Sequence, residues 1–382
     1  MKNRKSRLTW LVAVLAVLSL FVAACGSSSK SSSKKTTTTT ATTAAGGTTP
    51  TSAADQSSLA KLSGKLDGGG SSFQDTFEQK ATADFDAAVK DAGGTTTITY
   101  TKSGSSDGKK GLADKTLDYA GSDSPIKPEE KASFGSRKIL YFPIVAGPIT
   151  VAYKLKGVSD LKLSADTIAK IFQAEITTWD DAAIKADNPG ATLPSTKISV
   201  VHRSDGSGTT SNFTKFLVAA APNVWKLDKG ETVKWPGSTQ GGEKSTGVTA
   251  IIKGTDGAVG YVDLSDAAKE NLDVAAVKGS GSDFVKPSSD SASKALASAA
   301  IEPDLTYNPI DAKGAGAYPI TSPTWILVDA KQSGAAKADV LKAYLKYILD
   351  KEQAKAASLL YAPLPDSLKQ KAVTQIDQIT TG

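Results

Sequence analysis

The stretch 197-KISVVHRSDGSGTTSNFTKFL-217 decides how the rest of the chain is read. An apolar run, 197-KISVV-201, leads into one arginine, one aspartate and two glycines among hydroxyl side chains. Helix-like spacing then begins at Phe213, Phe216 and Leu217. A strand that gives way to a Gly/Ser loop and then a helix presents unpaired backbone N–H groups and a partial positive charge at one place. Glycine lets those amides approach a ligand closely. The combination is suited to a small anion. Arg203 can fork two oxygens of such an anion, with Asp205 holding the guanidinium, and Ser207, Gly208 and Thr209 can add donors at the helix start. The same residues also allow a plainer reading, a structural Arg–Asp pair on the surface.

Three more loops repeat the pattern: 68-GGGSSF-73, 102-KSGSSDG-108 and 120-AGSDSP-125. Taken singly, each is also an ordinary turn or cap. Between them, β-rich runs alternate with helix-period segments. Candidate strands are 96–101, 117–121, 139–147, 149–154, 197–201, 258–263 and 324–329. Candidate helices are 74–90, 164–173, 209–220, 263–271 and 336–349, with 351–360 and 366–379 also helical in spacing. This alternation predicts an α/β protein with largely parallel sheets covered by helices. The length of the body predicts two lobes, with ligands outside the strand C-termini.

The chain has 382 residues and a net charge of +6. The charge is concentrated at the front: residues 1–64 carry eight Lys/Arg and one Asp, so the remainder is close to neutral. That argues against a nucleic-acid partner, which needs a cationic face. Lys2, Arg4, Lys5 and Arg7 precede the apolar run 10-WLVAVLAVLSLFVAA-24. A spanning helix needs roughly 20 apolar residues, so residues 1–25 read as a secretory signal. The signal ends in 22-VAAC-25, which resembles a bacterial lipobox and implies lipidation of Cys25, the only cysteine. Residues 26–64 are Ser/Thr/Ala/Gly/Lys-rich and read as a disordered tether with a reach on the order of 35 Å.

Other motifs fail on spacing. The segment 241-GGEKST-246 lacks the Walker A arrangement and is read as a loop with no strand before it. His202 is the only histidine and has no companions for a zinc site or a nucleophilic triad.

The run 199–217, with 117-LDYAGSDSPI-126, 177-TTWDDAAIKADNPGATLP-194, 233-VKWP-236, 257-GAVGYVD-263 and 318-YPITSPTWIL-327, resembles bacterial phosphate-binding proteins, the lipid-anchored receptors of the phosphate ABC importer. The similarity spans about 65–375. It implies a type II periplasmic-binding-protein fold: two α/β lobes joined by two crossovers, with the ligand in the cleft between them. Lobe one would be 65–145 plus 318–382, and lobe two 146–317. Ligand contacts would fall on Ser72 (hydroxyl), Phe73 (amide), Ser105, Asp123, Arg203, Ser207, Gly208 (amide) and Thr209, with Asp205 orienting the arginine. The first loop departs from the family pattern: GGGSSFQ stands where Gly-Ala-Gly-Ala-Thr-Phe-Pro is usual, so Ser72 replaces Thr and Gln74 replaces Pro. The implied role is an extracytoplasmic, membrane-anchored and monomeric receptor that binds inorganic phosphate and meets permease and ATPase subunits, with no cofactor, metal or catalysis. Receptors for sulfate, molybdate or phosphonate, an extracytoplasmic phosphatase, and an adhesin or sensor that keeps the fold are the alternatives.

Overall fold

The computed structural model describes residues 53–382. The signal, Cys25 and the tether up to residue 52 lie outside the described residues. The expected tether ends before residue 64. Ala53–Leu59 forms helix α1, and Ser63 opens strand β1. Leu59 and Leu62 give this segment apolar surface to bury against the core.

Strand β1 is Ser63–Gly70 and β2 is Thr95–Lys102, joined by helix α2, Asp75–Ala92. The spacing of Phe77, Ala81, Phe85 and Val89 turns one face of α2 onto the sheet. Gly93, with φ of 98°, ends that helix in the left-handed conformation glycine favours. Helix α3, Ser105–Ala113, follows β2 and leads to β3, Tyr119–Ser122. The long strand β4 runs Ile139–Lys154 and is buried on both faces for nearly its whole length.

The central part of the chain continues with β5 (Lys162–Ser164), α4 (Ala165–Phe172), α5 (Ala182–Asp187), β6 (Ser199–Arg203) and α6 (Gly208–Ala220). Then come β7 (Gln240–Gly242), α7 (Lys244–Gly254), β8 (Ala258–Asp263) and α8 (Leu264–Lys269). Short β9 (Asp273–Val274) and β10 (Ala276–Lys278) precede α9, Ser289–Ala297. The chain ends with β11 (Thr321–Asp329), β12 (Lys331–Gln332), α10 (Ala335–Asp350), α11 (Asp366–Gln375) and β13 (Thr380–Thr381). Among the described residues no helix is long and apolar enough to cross a membrane.

The main sheet has the order β2-β1-β3-β11-β4-β8-β6-β7, with β9 also on β4. The expectation of largely parallel pairing holds only at its two ends. β1 pairs parallel with β2 and β3, and β6 pairs parallel with β7 and β8. The middle is antiparallel, because β11 runs against β3 and β4, and β4 against β8. The two strands expected at 139–147 and 149–154 are one. Residues Ile139 to Pro148 pair with β11, and Ile149 to Lys154 pair with β8. Pro148 sits where the partner changes, a place where a missing N–H is tolerated.

Residues 68–70, expected as loop, are the end of β1. Glycine reads as a poor strand former, but here it is demanded by close approach. A Cβ on Gly68 would lie 2.0 Å from the Tyr119 ring, and one on Gly70 would lie 2.1 Å from the Gly121 carbonyl oxygen.

Candidate functional site

Strands β1 and β3, from one parallel end of the sheet, and β6, from the other, deliver their C-terminal loops to one place, as does the loop after β2. The Gly70 carbonyl accepts from the Ser103 and Gly104 amides at 2.9 and 2.7 Å, which ties the first two loops together. Ser105 begins α3, and its hydroxyl accepts from the Asp123 amide at 3.3 Å. Gly208 begins α6, with Ser207 as N-cap accepting from the Thr210 amide. A Cβ on Gly208 would stand 2.5 Å from Ser105 Oγ and 2.8 Å from Asp123 Cβ, so α6 abuts both residues. Glycine is needed here for contact rather than for backbone angle.

Arg203 is the last residue of β6 and is 4% exposed. Its backbone N–H donates to Tyr261 Oη at 3.1 Å, and Tyr261 in turn meets Thr210 Oγ1 at 2.7 Å and stacks on Phe213. Strand and helix are thereby locked around the guanidinium. Nε donates to Asp205 Oδ1 at 2.8 Å, Nη2 pairs with Asp205 Oδ2, and Nη1 donates to Ser72 Oγ at 3.1 Å. Arg203 and Asp205 thus form the forked pair read from the sequence, and burial sets it apart from a surface ion pair. The guanidinium holds the Asp205 carboxyl below its ordinary range, against the opposing effect of burial.

Asp123 is 1% exposed. Ser71 Oγ lies 2.6 and 2.7 Å from its two oxygens, and Thr324 Oγ1 lies 2.7 Å from Oδ1. Asn212 Nδ2 donates to the Asp123 carbonyl at 2.7 Å and to Ser322 Oγ at 2.8 Å, linking α6 to β3 and β11. Burial pushes the Asp123 carboxyl up to about 6. The Ser71 and Thr324 hydroxyls and the Arg203 charge pull the other way, and Glu231 adds to the rise.

The structure brings Ser72, Phe73, Ser105, Asp123, Arg203, Ser207, Gly208 and Thr209 into one buried cluster. The Phe73 amide donates to Ser71 Oγ at 3.0 Å. Thr209 Oγ1 is buried without a hydrogen-bond partner among the described residues. A buried hydroxyl normally finds a partner, so an orphan at the head of α6 is the kind of group a ligand satisfies.

Four residues escaped the sequence reading. Ser71 and Thr324 hold Asp123. Ser245 Oγ lies 3.0 Å from Ser72 Oγ, and the neighbouring Lys244 amide donates to Asp205 Oδ1 at 2.8 Å. The segment 241–246 is therefore not a free loop: β7 precedes it and α7 begins within it. The fourth is Glu231, on the connection between α6 and β7. Its carboxylate takes Lys109 at 2.9 Å and Lys127 at 3.4 Å, plus the hydroxyls of Ser106 and Ser124, and its carbonyl accepts the Ser207 amide at 3.0 Å. His202 stands apart from this chemistry. It is half-buried and stacked on Trp235 at 5.0 Å, and burial lowers its pKa.

Comparison with known proteins places the chain among related sequences and folds. The family model for the PBP superfamily domain matches residues 32–352. The phosphate-binding protein PstS of Xylella fastidiosa is 33% identical over 324 residues, covering 83% of this chain and 85% of that protein. Phosphate-binding protein PstS3 of Mycobacterium bovis is 34% identical over 296 residues, 74% of this chain and 79% of its own. Among solved structures, a high affinity periplasmic phosphate-binding protein (PfluDING), solved with phosphate bound, superposes with a TM-score of 0.68. It is 19% identical and covers 82% of this chain and 94% of its own, a likeness of fold.

Proposed function

The chain belongs to the PstS family of phosphate-binding proteins, and from that premise we propose that its buried cluster takes up inorganic phosphate for delivery to an ABC permease. The observation that carries the reading is a buried carboxylate, Asp123, set among donors and with no cation paired to it among the described residues; the neighbouring carboxylates Asp205 and Glu231 are each paired with a cation. A dehydrated anion needs fixed dipoles in place of its water. Arg203, the hydroxyls of Ser72, Ser105, Ser207 and Thr209, and the amides of Phe73 and Gly208 are the groups we assign to that task. Asp123 repels an anion unless the anion has a hydrogen to give. Near neutrality phosphate keeps one proton, its second pKa being about 6 to 7, whereas sulfate keeps none. A site built to receive a hydrogen bond rejects an analogue that lacks the donor by roughly 10⁴-fold.

The two halves of the sheet are proposed as the two lobes, 65–145 with 318–382 and 146–317, closing on the ligand. A lipid anchor at Cys25, an extracytoplasmic location, a monomeric state and a purely non-catalytic role complete the proposal. The relatives named above are binding proteins by name, which supports the last point. One calorimetric series on the purified protein tests the function. Phosphate and arsenate should bind, and sulfate should not compete. Equal binding of sulfate would transfer the reading to a general oxyanion receptor, and hydrolysis of a phosphate ester would revive a phosphatase.

A further inference from the structure

A row of four buried side chains leads from the candidate site into the core. Asp123 Oδ1 faces Thr324 Oγ1 at 2.7 Å, and Thr324 Oγ1 also lies in short contact with Gln74 Oε1. Gln74 Nε2 lies 3.2 Å from Glu78 Oε1. Each of the four is at most 1% exposed. Gln74 is also one of the positions at which the first loop departs from the family pattern.

The hydrogens along this row do not balance if both carboxyls are ionised. A threonine hydroxyl has one hydrogen, while an ionised carboxylate has none. Thr324 Oγ1 has two close oxygens, those of Asp123 and Gln74, with the Ser122 carbonyl farther off at 3.4 Å, and can donate to only one of them, so the other close contact needs a hydrogen from elsewhere. Two arrangements supply it. In the first, an un-ionised Asp123 donates to Thr324, Thr324 donates to Gln74, and the Gln74 amide N–H donates to ionised Glu78. In the second, the Gln74 amide is turned over, which its near-symmetric shape allows. An un-ionised Glu78 then donates to Gln74, Gln74 to Thr324, and Thr324 to ionised Asp123. Either way, the row holds one proton beyond those of two ionised carboxylates.

We propose that Glu78 and Asp123 share a single proton through Gln74 and Thr324, so that Glu78 is a positioning residue that sets the charge of the ligand-facing carboxylate. The consequence for binding rests on the reading of Asp123 as acceptor of the phosphate proton. A ligand with a hydrogen to donate selects the arrangement in which Glu78 is un-ionised and Asp123 is charged. The other partners of Glu78 are neutral: Tyr344 Oη on α10 at 2.7 Å and Tyr119 Oη on β3 at 3.4 Å, with Tyr100 on β2 nearby; the charged group facing it is Asp75, one turn earlier on α2. Asp75 itself pairs with Lys102 at 3.1 Å. Around Asp123 the charged groups are Arg203 on β6, Lys215 on α6 and Glu231. Burial pushes Glu78 up to about 7 and Asp123 up to about 6, close enough for the proton to reside on either.

The test uses Glu78→Gln, whose amide still donates to Gln74 but has no proton to lose. In ligand-free protein at neutral pH, the infrared difference between wild type and E78Q should show the carbonyl band of one un-ionised carboxyl, present only in wild type. In calorimetric titrations across neutral to alkaline pH, phosphate affinity of wild type should weaken relative to E78Q by up to about tenfold per pH unit above about 7. The ligand's own titration is common to both proteins and cancels. If E78Q does not fold, Thr324→Val cuts the same row midway and should remove the same slope. Parallel affinity profiles, or no carboxyl band lost, overturn the proton sharing and leave the phosphate reading intact. The expected infrared difference with no phosphate binding in either protein overturns the phosphate reading instead.

Discussion

Asp123 and Glu231 are carboxylates in one cluster, each at most 2% exposed, yet their protons are held very differently. Burial raises the pKa of both. At Asp123 its direct partners are hydroxyls, and the nearest guanidinium is already committed to Asp205, so burial prevails and the value rises to about 6. At Glu231 burial is opposed by the Lys109 ammonium, 2.9 Å away and itself buried, and by the hydroxyls of Ser124 and Ser106, which together leave the carboxyl below its ordinary range. Partners, not depth, decide which carboxylate can exchange a proton near neutrality. Asp123 stays convertible and suits a ligand that carries hydrogen. Glu231 is a fixed anion, and its partners on α3 and at Lys127 come from the far side of the cluster, so it ties the two sides together.

The contrast can be broken most severely at the ion pair. Lys109→Met should cost about 4 kcal/mol in chemical denaturation, because it strips Glu231 of its buried partner and also takes the ammonium 2.7 Å from Glu130. Adding Glu231→Leu should restore the part of that loss due to Glu231, the Glu130 pair staying broken. A single-variant cost under about 1 kcal/mol would show that Lys127 alone suffices. Next, Arg203→Ala should weaken phosphate binding by about 3 kcal/mol, roughly a hundredfold. The rise of melting temperature with added phosphate should then need roughly a hundredfold more phosphate. Asp123→Asn should cost about 2 kcal/mol in phosphate affinity and let sulfate compete; continued exclusion of sulfate would remove Asp123 from its assigned role.

The gentlest measurement compares pH dependences. Asp123 has a raised native pKa, so the native state binds more protons than the unfolded state between the ordinary carboxylate value and about 6. Its contribution to stability is therefore lost as pH rises through that window, at up to about 1.4 kcal/mol per pH unit. Glu231 has a lowered value, so its contribution is present at neutral pH and lost on acidification. Relative to wild type, Asp123→Asn should gain stability with rising pH, and Glu231→Gln should gain it with falling pH. Slopes of the same sign would erase the distinction.

The Arg203 fork, the Asp123 turn and the donors at the head of α6 were legible because each sits in a short local pattern. What escaped depends on neighbours distant in sequence. Ser71 and Ser72 are chemically identical, but one holds Asp123 and the other meets Arg203; only the geometry at the end of β1 separates them. Thr324 lies in an apolar run and reads as strand. Glu231 is a charged loop residue, which ordinarily means solvent. Ser245 was masked by a motif whose spacing fails for another purpose. Residues 68–70 read as loop because glycine lacks a side chain to favour a strand, while the Tyr119 ring that requires its absence is some fifty positions away.

Strand β4 carries its own mechanical lesson. It is one continuous ribbon that bonds β11 up to Pro148 and β8 from Ile149 onward. Parting of the two sheet halves without breaking that ribbon must flex it where it trades partners. A parting that keeps the ribbon whole would be a swing about that point inside the sheet rather than a sliding apart.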